Sequence, residues 1–368
     1  MIVGFAVFAF AVQALGADLP TEDEIRSAEA PPASVAPSEP FSHAAMVKAA
    51  ITSYIIPHID ALKAAVAPLP EAVANVCKTG TPAAEKDLEE RFQKVVTAYV
   101  GVDFLRFGPM LENGRREQIS FWPDPRGFVA RQLRLLLLNK DEAIAQPGAI
   151  GKQSAAVQGL PALEALMHDK AVPLGPGDAA HYRCVVAGAI AANVVRLISE
   201  VADGWEKPDG WADKLLHPGP ANDTYKNESE AAVEVVKALI VGLSLTADLQ
   251  VKPQFDTKIR LTPPYEKSGL QNVFYTESVA SLHELYDILD LESWLPPDRL
   301  WMKDWVMGTW RALEASDGAG GRSANAKRDD APAPREVFDR TNGLRNMVAN
   351  RLAVAAKLTI GFNELDGD

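Results

Sequence analysis

From His43 onward, apolar residues recur at spacings of three and four, the period of a helix that buries one face. Val47, Ile51, Tyr54, Ile55, Leu62 and Val66 trace one such stripe. Leu88, Phe92, Val95, Tyr99, Val102 and Leu105 trace a second. Further helical segments read at 128–145, 155–168 and 179–205. The first of these is opened by Asp124 as cap and Pro125 as first helical residue, and the last is lined by the small residues Ala187, Gly188, Ala191 and Ala192. Residues 206–224 break the pattern with prolines, glycines and Trp211, which marks a boundary. Beyond it, 225–249, 270–291, 298–314 and 335–360 read as four more helices, with a loop at 316–334 rich in Gly, Ala and charge. No segment alternates with the period of a strand. The expected architecture is all-α: two helical bundles packed side by side, 43–205 and 225–368, joined by a linker at 206–224.

The ends of the chain read differently. Residues 1–17 form a short apolar run closing on Ala14, Leu15 and Gly16, with small residues placed for cleavage after Gly16. That pattern predicts a signal peptide. No Lys or Arg precedes the run, a departure from the usual pattern. Residues 18–42 are rich in Pro, Ala, Ser and Glu and read as a flexible leader, because they hold too little apolar surface to offset ordering entropy. No later stretch is expected to span a membrane. The predicted location is the periplasm or cell envelope. The only cysteines, Cys77 and Cys184, are expected to form a disulfide in an exported chain, although the sequence does not show that they meet.

Charge narrows the partners. Acidic residues outnumber basic ones by 49 to 37, for a formal net charge of −12. Such a surface repels phosphate backbones and anionic headgroups, which argues against nucleic acid, and it suits equally a chain with no charged partner.

Few catalytic patterns are present. There is no phosphate loop, His-Glu-x-x-His, Cys-x-x-Cys or Gly-x-Ser-x-Gly. Pro161, Glu164 and His168 stand at helical offsets, so a continuous helix would place them on one face. A carboxylate and an imidazole at that spacing suit a divalent metal or a proton exchange, or simply an exposed helix pair. His58 falls on an apolar stripe beside Pro57 and reads as a hydrogen-bonded core histidine, or as a group facing a carbonyl freed by the proline. Arg106, Arg115, Arg116, Arg126 and Arg131 surround the loop Phe121-Trp122-Pro123-Asp124-Pro125-Arg126-Gly127. They form either an anion-facing patch or a set neutralised by nearby carboxylates. His283 and Asp287 stand one turn apart.

The 121–127 loop, the run Gly159-Leu160-Pro161-Ala162-Leu163-Glu164 and the closing Leu358-Thr359-Ile360-Gly361-Phe362-Asn363-Glu364-Leu365-Asp366-Gly367-Asp368 together resemble the imelysin-like family, from about His43 to the C-terminus. The resemblance implies two helical bundles, an envelope location and a link to iron uptake, with a metal ion or envelope iron-uptake components as partners. The family's Gly-x-His-x-x-Glu motif maps onto Gly159 and Glu164, but Pro161 holds the histidine position. Proline offers a metal no lone pair. The favoured reading is therefore a non-catalytic envelope protein binding a metal, iron or another ligand at an interdomain cleft through Gly159, Pro161, Glu164, His168, His58 and Arg126, with Glu164 and His168 as metal ligands. The alternatives are an imelysin-type metallopeptidase and a structural protein without a small ligand.

N-terminal sequencing of the periplasmic protein should give a start near Asp18. An intact Met1 on a cytosolic protein would refute export.

Overall fold

The computed structural model describes residues 41–316 and 332–361. The expected signal peptide, nearly all of the leader, most of the 316–334 loop and the end of the C-terminal motif lie outside the described residues. Among these, all regular structure is helical and none is strand.

Helix α1 (His43–Ala49) begins at Ser42, whose hydroxyl accepts the Ala45 N–H at 3.1 Å. A π-helical turn at Ala50–Ile55 leads into α2 (Ile56–Val66). Pro57, at the start of α2, has no N–H to donate, and the widened turn lies directly upstream of it. Helix α3 (Leu69–Thr79) stops at Gly80, whose left-handed φ of 56° ends the helix and turns its N–H onto the Val76 carbonyl. Thr81 then caps α4 (Pro82–Asp103), which starts on its own proline. Shorter helices follow: α5 (Arg115–Ile119), α6 (Phe128–Asn139) and α7 (Leu160–Met167). The long α8 (Asp178–Glu206) packs against α2, α3 and α7.

Two expectations change here. Of the small residues on α8, Ala187 and Ala191 are buried, whereas Gly188 is half-buried and Ala192 exposed, so close approach uses only one pair. In addition, the stretch Asp178–Leu216 is long and apolar enough to cross a bilayer, contrary to the sequence expectation. Half of its most apolar window is buried inside the fold, as in the core helix of a globular protein.

The 206–224 break contains a helix of its own, α9 (Trp211–Leu216), which rests on α1, α8 and α10 (Glu228–Leu245). Asn227 caps α10 through the Glu230 N–H at 3.0 Å, and Glu230 returns a bond to the Lys226 N–H. After a π-helical turn at Thr246–Val251 come α11 (Gln271–Leu289), α12 (Trp301–Glu314) and α13 (Pro334–Met347). A last π-helical turn, Val348–Leu352, ends in α14 (Ala353–Ala355). Helix α11 crosses to pack on α4, and α10 packs on α1, so one hydrophobic core runs through both halves of the chain.

Cys77 on α3 and Cys184 on α8 are joined by a disulfide, with their Cα atoms 5.7 Å apart. It ties helices separated by 107 residues in sequence. Closing so long a loop restricts the unfolded chain, an effect of about 2–5 kcal/mol. Denaturant unfolding of Cys77→Ser/Cys184→Ser should show a loss of that size with the helical signal intact below the midpoint. An unchanged midpoint would mean that the bridge contributes nothing.

Candidate functional site

The site grows from a buried carboxylate. Asp103, at the end of α4, accepts the Tyr99 hydroxyl at 2.6 Å and Arg116 Nε at 3.3 Å, with Arg106 Nη2 at 3.5 Å. Burial pushes the Asp103 carboxyl up, but the Arg106 and Arg116 guanidinia more than offset this and hold it below the usual carboxylate range. Arg116, itself buried, also donates to the Trp122 carbonyl at 2.8 Å and so fixes the start of the 121–127 loop. Two arginines of the expected patch are therefore spent on Asp103. Arg115 is spent on Glu112 and Glu200, both at 3.1 Å, and Arg131 lies over the Phe128 ring. Arg126 is exposed and makes no ion pair among the described residues. Neighbouring carboxylates neutralise most of the patch.

The loop carries a cis Trp122–Pro123 bond and closes on α6. Asp124 caps that helix from further back than its Asp-Pro pattern suggested. Its two carboxylate oxygens accept the Phe128 and Val129 N–H groups, each at 2.8 Å, while Gly127 holds the cap position with φ of 63°. Pro125 therefore lies in the turn before the helix.

Gly159 precedes α7 and has a steric role. A Cβ there would lie 2.1 Å from the Ile119 carbonyl oxygen and 2.3 Å from that of Gln118. Only a glycine lets the two backbones meet. Helix α7 leaves this contact with Pro161 in its first turn and buries Glu164 toward the segment 262–268. Glu164 Oε1 accepts both the Ser268 N–H at 2.9 Å and the Ser268 hydroxyl at 2.7 Å. Two more bonds join the same segment to the first half of the chain. Trp122 Nε1 donates to the Thr262 carbonyl at 3.0 Å, and Tyr265 OH meets Ser120 Oγ at 3.0 Å. Tyr265 is buried with φ of 54°, a left-handed backbone that costs a residue with a bulky side chain about 1–3 kcal/mol. Its ring, packed between Phe92 and Phe274, and its hydroxyl bond hold that strain, and burial pushes the phenol's pKa up.

These elements enclose a cleft of about 200 Å³, lined by Phe121, Trp122, Pro161, Glu164, Pro263, Pro264, Tyr265 and Lys267 among others. Gly159, Pro161 and Glu164 thus belong to one construction. His168 does not join it. The helix ends at Met167, and His168 lines another cavity with Glu85, Glu89 and Asp169, where its Nε2 is buried without a hydrogen-bond partner among the described residues. The expected pairing of Glu164 with His168 on one face is lost because His168 is the cap residue, its N–H still on the Glu164 carbonyl at 3.0 Å but its φ and ψ no longer helical, and its side chain enters the other cavity. His58 is elsewhere again, in a groove with Glu277 and Ser281. Its ring stacks on Tyr54 at 4.0 Å, its Nδ1 lies 2.9 Å from the Tyr54 carbonyl, and its Nε2 is 3.4 Å from Glu284. His283 lies near Asp287 as the spacing suggested, but its closer partner is Glu314, at 2.6 Å.

The cleft lacks the donors of a metal site. Pro161 supplies no donor, one Glu164 oxygen is occupied by Ser268, and both Asp124 oxygens are occupied by backbone amides. Among the described residues no three His, Cys, Asp or Glu side chains converge. A catalytic zinc uses three protein ligands, so these residues do not fit one. Sequence reasoning missed Tyr265, Ser268, Asp103 and Tyr99. The first two sit in a proline-rich stretch with no periodicity, and the last two look like ordinary helix positions.

Replacing Gly159 by Ala should destabilise the fold by at least about 3 kcal/mol, because backbone must move. Glu164→Ala should cost about 1–3 kcal/mol by stranding the Ser268 N–H. Thermal or urea unfolding of both variants checks the order, and equal stabilities would contradict the steric account.

A crystal structure of an imelysin-like protein from Psychrobacter arcticum 273-4 superposes with a TM-score of 0.68 at 17% identity, covering 88% of this chain and 99% of that one. A Parabacteroides distasonis ATCC 8503 protein described as an iron-regulated protein A precursor gives 0.66 at 12% identity, with 88% and 97% covered. No functionally characterised protein in the curated set matches the sequence significantly. The family model for Imelysin (Peptidase_M75) matches residues 51–287, well over half of the chain. The chain belongs to the imelysin family.

Proposed function

We propose that this imelysin-family chain is an exported envelope protein that binds a ligand in the cleft between the 121–127 loop, α7 and the 262–268 segment, and does not cleave peptides. The observation that carries this reading is the state of Glu164. Its carboxylate clamps Ser268, and its neighbour one helical turn back is Pro161. A metallopeptidase needs a metal-bound water and a nearby base. Here the motif contributes one carboxylate, already used to hold two segments together.

The lining supports ligand binding instead. Aromatic and proline faces surround a few polar groups, the usual composition of a small-molecule site. The iron-regulated description of the Parabacteroides relative supports a place in iron physiology, with envelope iron-uptake components as partners. The apolar run at 1–17 supports export.

Incubation with an unstructured peptide and zinc, with and without chelator, should give no cleavage above background in wild type or Glu164→Gln. Cleavage that chelator abolishes, zinc restores and Glu164→Gln removes would establish the peptidase reading instead.

A further inference from the structure

The cleft that holds Glu164 is small, about 200 Å³. Sites for drug-sized ligands run to roughly 300–1,000 Å³, so this one takes a more compact molecule. Its walls are apolar faces, among them Trp122, Pro161 and Tyr265. The charged side chains that line it are Asp124, Glu164 and Lys267. Asp124 is fully used, because both of its oxygens accept backbone N–H groups at the start of α6. Glu164 is used only in part. Both Ser268 bonds fall on Oε1, whereas Oε2 takes no hydrogen bond among the described residues, although Glu164 is only 6% exposed.

Lys267 is the opposite case. It is exposed and makes no ion pair, with Glu164 or with any other group, among the described residues. The cleft therefore has an under-used carboxylate at its buried end and an unpaired ammonium at its open edge. Their charges cancel, and so do those of Arg126 and Glu266, which are exposed on the flanking segments outside the lining. A balanced lining selects neither a cation nor an anion. It selects a molecule that carries both charges, because only such a ligand satisfies both groups and brings in no charge without a partner.

Resting on the reading of this cleft as a ligand site, we infer that it binds a small zwitterion of the α-amino acid class. The ligand's ammonium donates to Glu164 Oε2, its carboxylate accepts from Lys267 Nζ, and an apolar side chain lies on the tryptophan, proline and tyrosine faces. Both polar contacts are charge-assisted, the stronger kind of hydrogen bond. Glu164 then divides its oxygens, Oε1 holding the 262–268 segment and Oε2 holding the ligand.

Calorimetric titration of the full chain compares L-leucine with isoamylamine and isocaproate, which keep the same branched body and each lack one of the two charges. Leucine is expected to bind about tenfold more tightly than either, the effect of one charge-assisted bond. Lys267→Met keeps the stem and removes the charge, so it should weaken leucine binding by about the same factor and leave the amine unweakened. Glu164→Gln, which turns the free oxygen into an amide NH2, should weaken leucine and the amine but not the acid. Circular dichroism would confirm that the variants fold. The inference is overturned if the amine or the acid matches leucine, if Lys267→Met leaves leucine unaltered or weakens leucine and the amine alike, or if none of the three saturates. Those outcomes leave the cleft reading itself standing, since that reading falls instead to chelator-sensitive, Glu164-dependent peptide cleavage.

Discussion

The backbone of Gly159 rests against the backbone of Gln118 and Ile119, and much of the site depends on that contact. Two peptide planes this close leave no room for a side chain. The contact fixes the start of α7 against the end of α5. Arg116, one turn before Ile119, bonds to Asp103 and to the Trp122 carbonyl, so the same short helix also sets the 121–127 loop. Glu164 lies just over a turn beyond Gly159, where it meets Ser268. A glycine that looks like a loop residue in sequence thus aligns a buried ion pair, a loop and an inter-segment clamp.

The polar interior is economical. Burying Asp103 is costly, and the cost is tolerable because two guanidinia and a phenol satisfy it. The 262–268 segment has no helical ladder of its own and is instead held by side chains from the first half, Trp122, Ser120 and Glu164. These bonds span sequence separations of 104 to 145 residues. They also support a left-handed Tyr265, a strain that local structure alone would release.

That separation explains what was legible in the sequence. Helices were readable because periodicity is local: the stripes from Val47 to Val66 and from Leu88 to Leu105 are buried as the spacing predicts. Two cysteines in a chain that reads as exported predict a disulfide, and the structure supplies the approach of α3 to α8 that makes it. Sequence and structure differ at the helix termini. The Asp-Pro pattern predicts Pro125 as a helix starter, but the chain spends another turn before α6, and Asp124 reaches forward to cap it. Helical spacing predicts His168 on the Glu164 face, yet α7 stops one residue earlier. The 206–224 break hides α9 because six residues are too few to show a period. Tyr265 and Ser268 had no local signal, since their roles come entirely from distant partners.

Pro161 shows how chemistry and fold can separate at one position. It sits in the first turn of α7, where a backbone N–H has no carbonyl to reach and proline's fixed φ already suits a helix. Replacing a histidine there, as the family resemblance implies, would remove an imidazole without removing a backbone hydrogen bond. Gly159 and Glu164 are under a different constraint, because one is demanded by the contact with Ile119 and the other by Ser268. Steric fit and hydrogen bonding would therefore keep the outer two positions of the motif even in a protein that had given up metal chemistry. A partial match to the motif is then evidence for how the halves of the chain are joined, and says little about catalysis.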